Sequence, residues 1–110
     1  MITIVLLILF TSKVVFSVCP PKDLLSPCYC DNDDIICDGN SVVDIVPVFE
    51  SLYNDRNDTQ RHYDSIYINN TLITEIKANS FKDFTFDEIY IENNSNLTHI
   101  DHDAFNGTEQ

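Results

Sequence analysis

Four cysteines, two histidines set among aspartates and five asparagine triplets are the groups of this 110-residue chain able to form disulfides, hold a metal or carry a sugar. Cys19, Cys28, Cys30 and Cys37 fall within 19 residues, in the pattern C-x8-C-x-C-x6-C. Clustered thiolates hold zinc in a reducing compartment and pair as disulfides in an oxidising one. The C-x-C pair lacks the two-residue spacing of common zinc knuckles, and four cysteines leave three possible pairings. If Cys28 and Cys30 are extended they point to opposite faces, which favours a different partner for each. His99 and His102, beside Asp101 and Asp103, would suit a metal only on a helix, whereas the surrounding pattern makes a turn. Asp31-Asn32-Asp33-Asp34 has oxygen ligands for calcium but lacks the glycine and glutamate of an EF-hand loop, so it reads as a polar hairpin turn. Gly39 and Gly107 are the only glycines, too few for a phosphate-cradling loop. Disulfide-bonded cysteines cannot act as nucleophiles. The expectation is no catalytic residue, no metal and no cofactor.

The asparagines carry a different signal. N-x-[ST] occurs at Asn57, Asn69, Asn93, Asn96 and Asn106, each a candidate N-glycosylation site in a secreted chain. Secretion is expected from the N-terminus. Ile2 to Phe10 is a nine-residue apolar run, far short of the roughly 20 residues needed to span a bilayer. Val15 and Ser17 are small enough for the −3 and −1 sites of signal peptidase, which places cleavage after Ser17. Losing Lys13 leaves 18 acids against 5 bases and moves the formal charge from −12 to −13. Such a chain repels phosphate backbones, so nucleic acid is excluded as a partner.

The segments that carry these residues change period along the chain. Val43, Ile45, Val46, Phe49 and Leu52 recur at helical spacing, with Pro47 suited to a first turn. Asn54 to Arg61 is polar and reads as a loop. Ser65 to Asn69 and Glu88 to Glu92 then alternate, as strands with one buried face do. These segments are copies of each other. Ile66 and Ile68 match Ile89 and Ile91 at an offset of 23, and Ile73, Ile76 and Phe81 match Leu97, Ile100 and Phe105 at 24. The extra residue lies within NNSN.

The shared template, I-Y-I-x-N-(x)n-[IL]-T-x-I-x4-F, resembles the leucine-rich repeat, whose period is about 20–29 residues. The asparagine of that motif falls on Thr71 in the first unit and on Asn94 in the second. In such repeats it bonds backbone groups left unpaired where a strand turns. The segment CPPKDLLSPCYCDNDDIICDG resembles the cysteine-rich cap of extracellular leucine-rich repeat proteins, in a form similar to arthropod secreted or cell-surface members. That resemblance implies the pairs Cys19–Cys30 and Cys28–Cys37.

It also implies an α/β fold, a leucine-rich repeat solenoid. Short parallel strands would line the concave face, with short helical or irregular convex segments and a disulfide-bonded N-terminal cap. The expected organisation is a signal peptide at 1–17 and a cap at 18–40. A degenerate first repeat and polar loop follow at 41–63, then two leucine-rich repeats at 64–110 with no C-terminal cap. A solenoid repeat buries its apolar face only against a neighbour, so the chain reads as the N-terminal part of a longer array. Ser65, Tyr67, Glu88, Tyr90 and Glu92, with Asn69 beside them, would face the concave side and take a protein ligand with basic residues. The expected function is a secreted or cell-surface, non-catalytic protein-binding glycoprotein. The alternatives are an accessory or scaffold subunit of an extracellular complex and a truncated piece of a larger receptor. Membrane association would need a downstream anchor.

Overall fold

A computed structural model describes residues 19–55, 61–81, 83–106 and 108. The expected signal peptide at 1–17 and the Asn57 triplet lie outside them.

The cysteine-rich segment opens with one helical turn, α1 (Lys22–Leu25), which buries Leu25. A hairpin follows, β1 (Tyr29–Asp31) and β2 (Asp34–Asp38), paired antiparallel with Asp31 opposite Asp34. Its turn is the polar DNDD segment, in which Asn32 takes a φ of 56°, a left-handed conformation that asparagine tolerates better than most residues. Two disulfides staple the unit, Cys19–Cys30 and Cys28–Cys37. Cys28 and Cys37 are buried, whereas Cys30 is half-buried.

Helix α2 (Val46–Asp55) follows. The Val46 N–H donates to Asp44 Oδ1 at 3.0 Å, which satisfies one orphan donor of the first turn. Pro47 sits in that same turn, where its missing N–H costs nothing. The helix buries Val48, Phe49 and Leu52 and packs against α1. Val43, counted in the apolar spacing, lies outside the helix and is exposed.

Strands β3 (His62–Asn69) and β5 (Thr85–Glu92) run parallel to β2 and complete a four-stranded mixed sheet in the order β1-β2-β3-β5. Ile66 lies opposite Ile89, and Ile68 opposite Ile91. A second, two-stranded parallel sheet pairs β4 (Glu75–Ile76) with β6 (His99–Ile100). Both long strands start three residues earlier than alternation indicates. Tyr63 and Ile66 are both fully buried, and three residues apart they cannot obey the strand period of two.

Each parallel strand ends the same way. Gly39, Asn70 and Asn93 directly follow β2, β3 and β5, and all have positive φ, at 105°, 56° and 56°. The chain turns out of the sheet by one left-handed residue, which glycine and asparagine adopt most readily.

The solenoid expectation is corrected here. The described residues form a small compact α/β globule, with a mixed four-stranded sheet and two helices. In a solenoid each layer touches only its neighbours around a repeating core. Here one ring from α2 joins everything. Phe49 packs edge-on against Phe81 at 5.1 Å, Phe84 at 5.4 Å and Phe86 at 6.1 Å between centroids. Phe81 ends the first template copy, while Phe84 just before β5 and Phe86 within it precede the second copy's Ile89, so the helix packs on the first copy and on the link into the second. The antiparallel β1–β2 hairpin of the cap also joins this sheet and makes it mixed, where a concave face of parallel strands was expected.

Candidate functional site: the outer face of the sheet

Residues directly opposite each other on neighbouring strands project to the same face, so the registers define what the outer face presents. Tyr29 pairs with Ile36, Ile36 with Tyr67, and Tyr67 with Tyr90. One row of large side chains therefore crosses all four strands. Tyr29 is 49 % exposed, and the other three are half-buried. Tyr67 and Tyr90 stack face to face, with centroids 4.7 Å apart and planes 6° from parallel.

Acidic rows flank this ridge. On one side the register runs Asp31, Asp34, Ser65, Glu88; on the other it runs Asp38, Asn69, Glu92. No lysine or arginine stands in either row. Ser65 is buried beneath its neighbours and donates its hydroxyl to Glu88 Oε1 at 3.3 Å. Tyr90 bonds to the Glu88 carboxylate, and this contact is the main reason its phenol is held above the usual value, with desolvation adding to it. The carboxylate prefers the neutral, donating phenol, which ties the acid to the ridge.

Sequence reasoning singled out Ser65, Tyr67, Glu88, Tyr90 and Glu92, and the structure brings all five to this face. It missed Tyr29, Ile36, Asp31, Asp34 and Asp38. The alternation in Asp34-Ile35-Ile36-Cys37-Asp38 was hidden by the cysteines, and the row emerges only once β2 is known to pair with β3.

The asparagine triplets scatter. Asn69 stands in the sheet between Asp38 and Glu92, and its Oδ1 is buried with no hydrogen-bond partner. A glycan there would stand beside Tyr67. Asn93 and Asn96 are exposed on the turn after β5, and Asn106 is exposed further on.

Among the described residues, two groups of side chains have ligand atoms within 4.8 Å of one another: His62, Asp64 and Asp87 on β3 and β5, and Asp101, His102 and Asp103 in the turn after β6. In the first, His62 Nδ1 lies 2.8 Å from Thr85 Oγ1, and Nε2 lies 3.5 Å from Asp87. Asp64 has its pKa raised, first by partial desolvation and then by Asp33, Asp87 and Asp34, with His62 opposing. In the second, His102 is a surface side chain between two aspartates of the same turn. His99 belongs to β6 and is not a member of it.

Neither protein-family models, curated proteins nor solved structures yield a match to this chain. The two disulfides accord with an oxidising compartment. No helix among the described residues is long and apolar enough to cross a membrane.

Proposed function

We propose that this chain is a secreted or cell-surface, non-catalytic protein-binding module. Its recognition surface is the outer face of the four-stranded sheet, and its partner is a protein segment rich in lysine or arginine with apolar residues between. The observation that carries this reading is the Tyr29–Ile36–Tyr67–Tyr90 ridge between two acidic rows. Aromatic side chains supply large contact area at low entropic cost, and the flanking carboxylates steer a cationic segment onto them. A stacked tyrosine pair also stabilises a sheet by itself, so the pair alone is weaker support than the pair within its acidic frame. The disulfides and the apolar N-terminal run support extracellular delivery.

The test is a titration of the secreted, isotope-labelled chain with two peptides of equal length and apolar content, one basic and one acidic. The reading requires the basic peptide to shift the Tyr29, Tyr67 and Tyr90 ring signals, with affinity falling as salt rises. Equal responses to both peptides, or shifts elsewhere, would refute it.

A further inference from the structure

The apolar face beneath the sheet is not covered evenly. Ile35, Cys37, Ile66 and Ile68 are fully buried, but Ile89 and Ile91, at the same level on β5, are only partly so. β5 is the last strand of its sheet. At its start the edge is closed, because the Phe86 N–H donates to the Thr108 carbonyl at 3.0 Å. Beyond that point the edge has no partner strand among the described residues. A groove of about 590 Å³ opens there, lined by Phe86, Asp87, Ile89, Ile91, Phe105 and Thr108.

We infer that this groove and edge accept an extended segment of the basic partner, added as a fifth strand beside β5. The inference rests on the binding-module reading for the partner's charge, not for where it docks. Three features set the segment's pattern. Strand addition supplies backbone hydrogen bonds along the edge. Two branched apolar residues at alternate positions would continue the rungs Ile35–Ile66–Ile89 and Cys37–Ile68–Ile91. Lysine or arginine on the other face would lie opposite Glu88 and Glu92, with an aromatic ring opposite Tyr90.

The same charges disfavour a second copy of this chain in either of two self-pairing registers. Antiparallel self-pairing of β5 about Tyr90 sets Glu88 against Glu92 twice, and parallel self-pairing sets each glutamate against itself. Like charges directly opposite on paired strands are destabilising.

The experiment uses the full secreted chain and the synthetic peptide Ac-TKIYIKT-NH2. Its controls are Ac-TEIYIET-NH2 and a scrambled peptide of the same composition that lacks alternation. Two further versions of the basic peptide carry N-methyl groups on complementary alternate residues, so that each blocks one edge of the extended peptide. Strand addition predicts binding about tenfold tighter than either control, from two opposite-charge pairs and a matched apolar face. It predicts slowed amide exchange at Ile89 and Ile91, and that one methylated version fails while the other binds. Equal binding by both methylated versions, with shifts confined to Tyr29 and Tyr67, would overturn edge docking and leave the outer-face reading standing. Protection of Ile89 and Ile91 without any shift at Tyr29 or Tyr67 would support edge docking and count against the outer face. No binding above the scrambled control would overturn the inference.

Discussion

Asn94 holds Thr71 by two hydrogen bonds to a single oxygen: its Oδ1 accepts from the Thr71 N–H at 3.0 Å and from the Thr71 hydroxyl at 2.7 Å. Its Nδ2 donates to the Ile68 carbonyl at 2.8 Å, and the Thr71 hydroxyl oxygen accepts from the Ile73 N–H at 3.2 Å. One side chain from the turn after β5 thus satisfies the backbone where β3 turns away. Thr71 is buried, and a buried backbone group left unpaired costs about 1–3 kcal/mol.

Asn94→Ala should therefore lower unfolding free energy by about 2–3 kcal/mol, the desolvation cost of leaving the Thr71 N–H and the Ile68 carbonyl without a partner. Asn94→Asp keeps the acceptor and loses the donor to Ile68, so it should fall between wild type and alanine. Urea denaturation of the three proteins checks the order. An alanine variant as stable as wild type would show that the turns are held by packing alone.

Asn93 serves a conformational purpose before any chemical one, because it follows β5 with a φ of 56°. Asn93→Gly should leave stability nearly unchanged, whereas Asn93→Ala should cost about 1–2 kcal/mol for the left-handed backbone. Both remove the glycosylation triplet, so the comparison separates the backbone requirement from loss of a sugar. Thermal unfolding of deglycosylated material reads it directly.

How much of this was visible in the sequence depends on which residues carried the signal. Ile66, Ile68, Ile89 and Ile91 announced two strands because a branched residue at every second position fits little else. The hairpin and α2 were legible from the polar DNDD turn, the apolar spacing through Phe49 and Leu52, and Pro47. The global arrangement was not, since a template shared by two segments fixes their local pattern and says nothing of a third element. Phe49 is one apolar residue of a helical stripe until it is found touching Phe81, Phe84 and Phe86. The outer ridge was half legible: Tyr67 and Tyr90 stand out between isoleucines, whereas Tyr29 and Ile36 join them only through register.

The disulfides should differ in consequence. Cys28–Cys37 and Cys19–Cys30 close loops of similar length, with sequence separations of 9 and 11, so their loop-entropy contributions are alike at about 3 kcal/mol. Cys28 and Cys37 are also buried in the core, while Cys30 is half-buried. The Cys28→Ala, Cys37→Ala double variant should be the less stable of the two double variants. Equal losses, measured by urea denaturation, would show that loop closure alone matters.

Asp64 gives the fold a pH signature. Its folded pKa lies above the ordinary 3.8 because desolvation and the Asp33, Asp87 and Asp34 carboxylates disfavour its charge. A carboxyl raised in the folded state binds its proton more tightly there than in the unfolded chain. Its unfavourable contribution thus appears as pH rises past 3.8, is complete above the folded pKa, and vanishes in acid. Asp64→Asn should raise the urea midpoint at pH 7 and lose that advantage below the ordinary carboxylate pKa. An advantage that persists in strong acid would point to a cause other than charge.

Recognition of basic segments by the carboxylate-framed outer ridge is what the proposed function requires. Its most direct test is selection from a random peptide display library against the secreted wild-type chain and against the Tyr67→Ala, Tyr90→Ala variant. Loss of the stacked pair should cost stability about 0.5–1.5 kcal/mol beyond the lost burial, and circular dichroism verifies that the variant remains folded. Wild type should enrich peptides combining lysine or arginine with aromatic or branched residues, and the folded variant should not. The same enrichment from both proteins, or none from wild type, would contradict it.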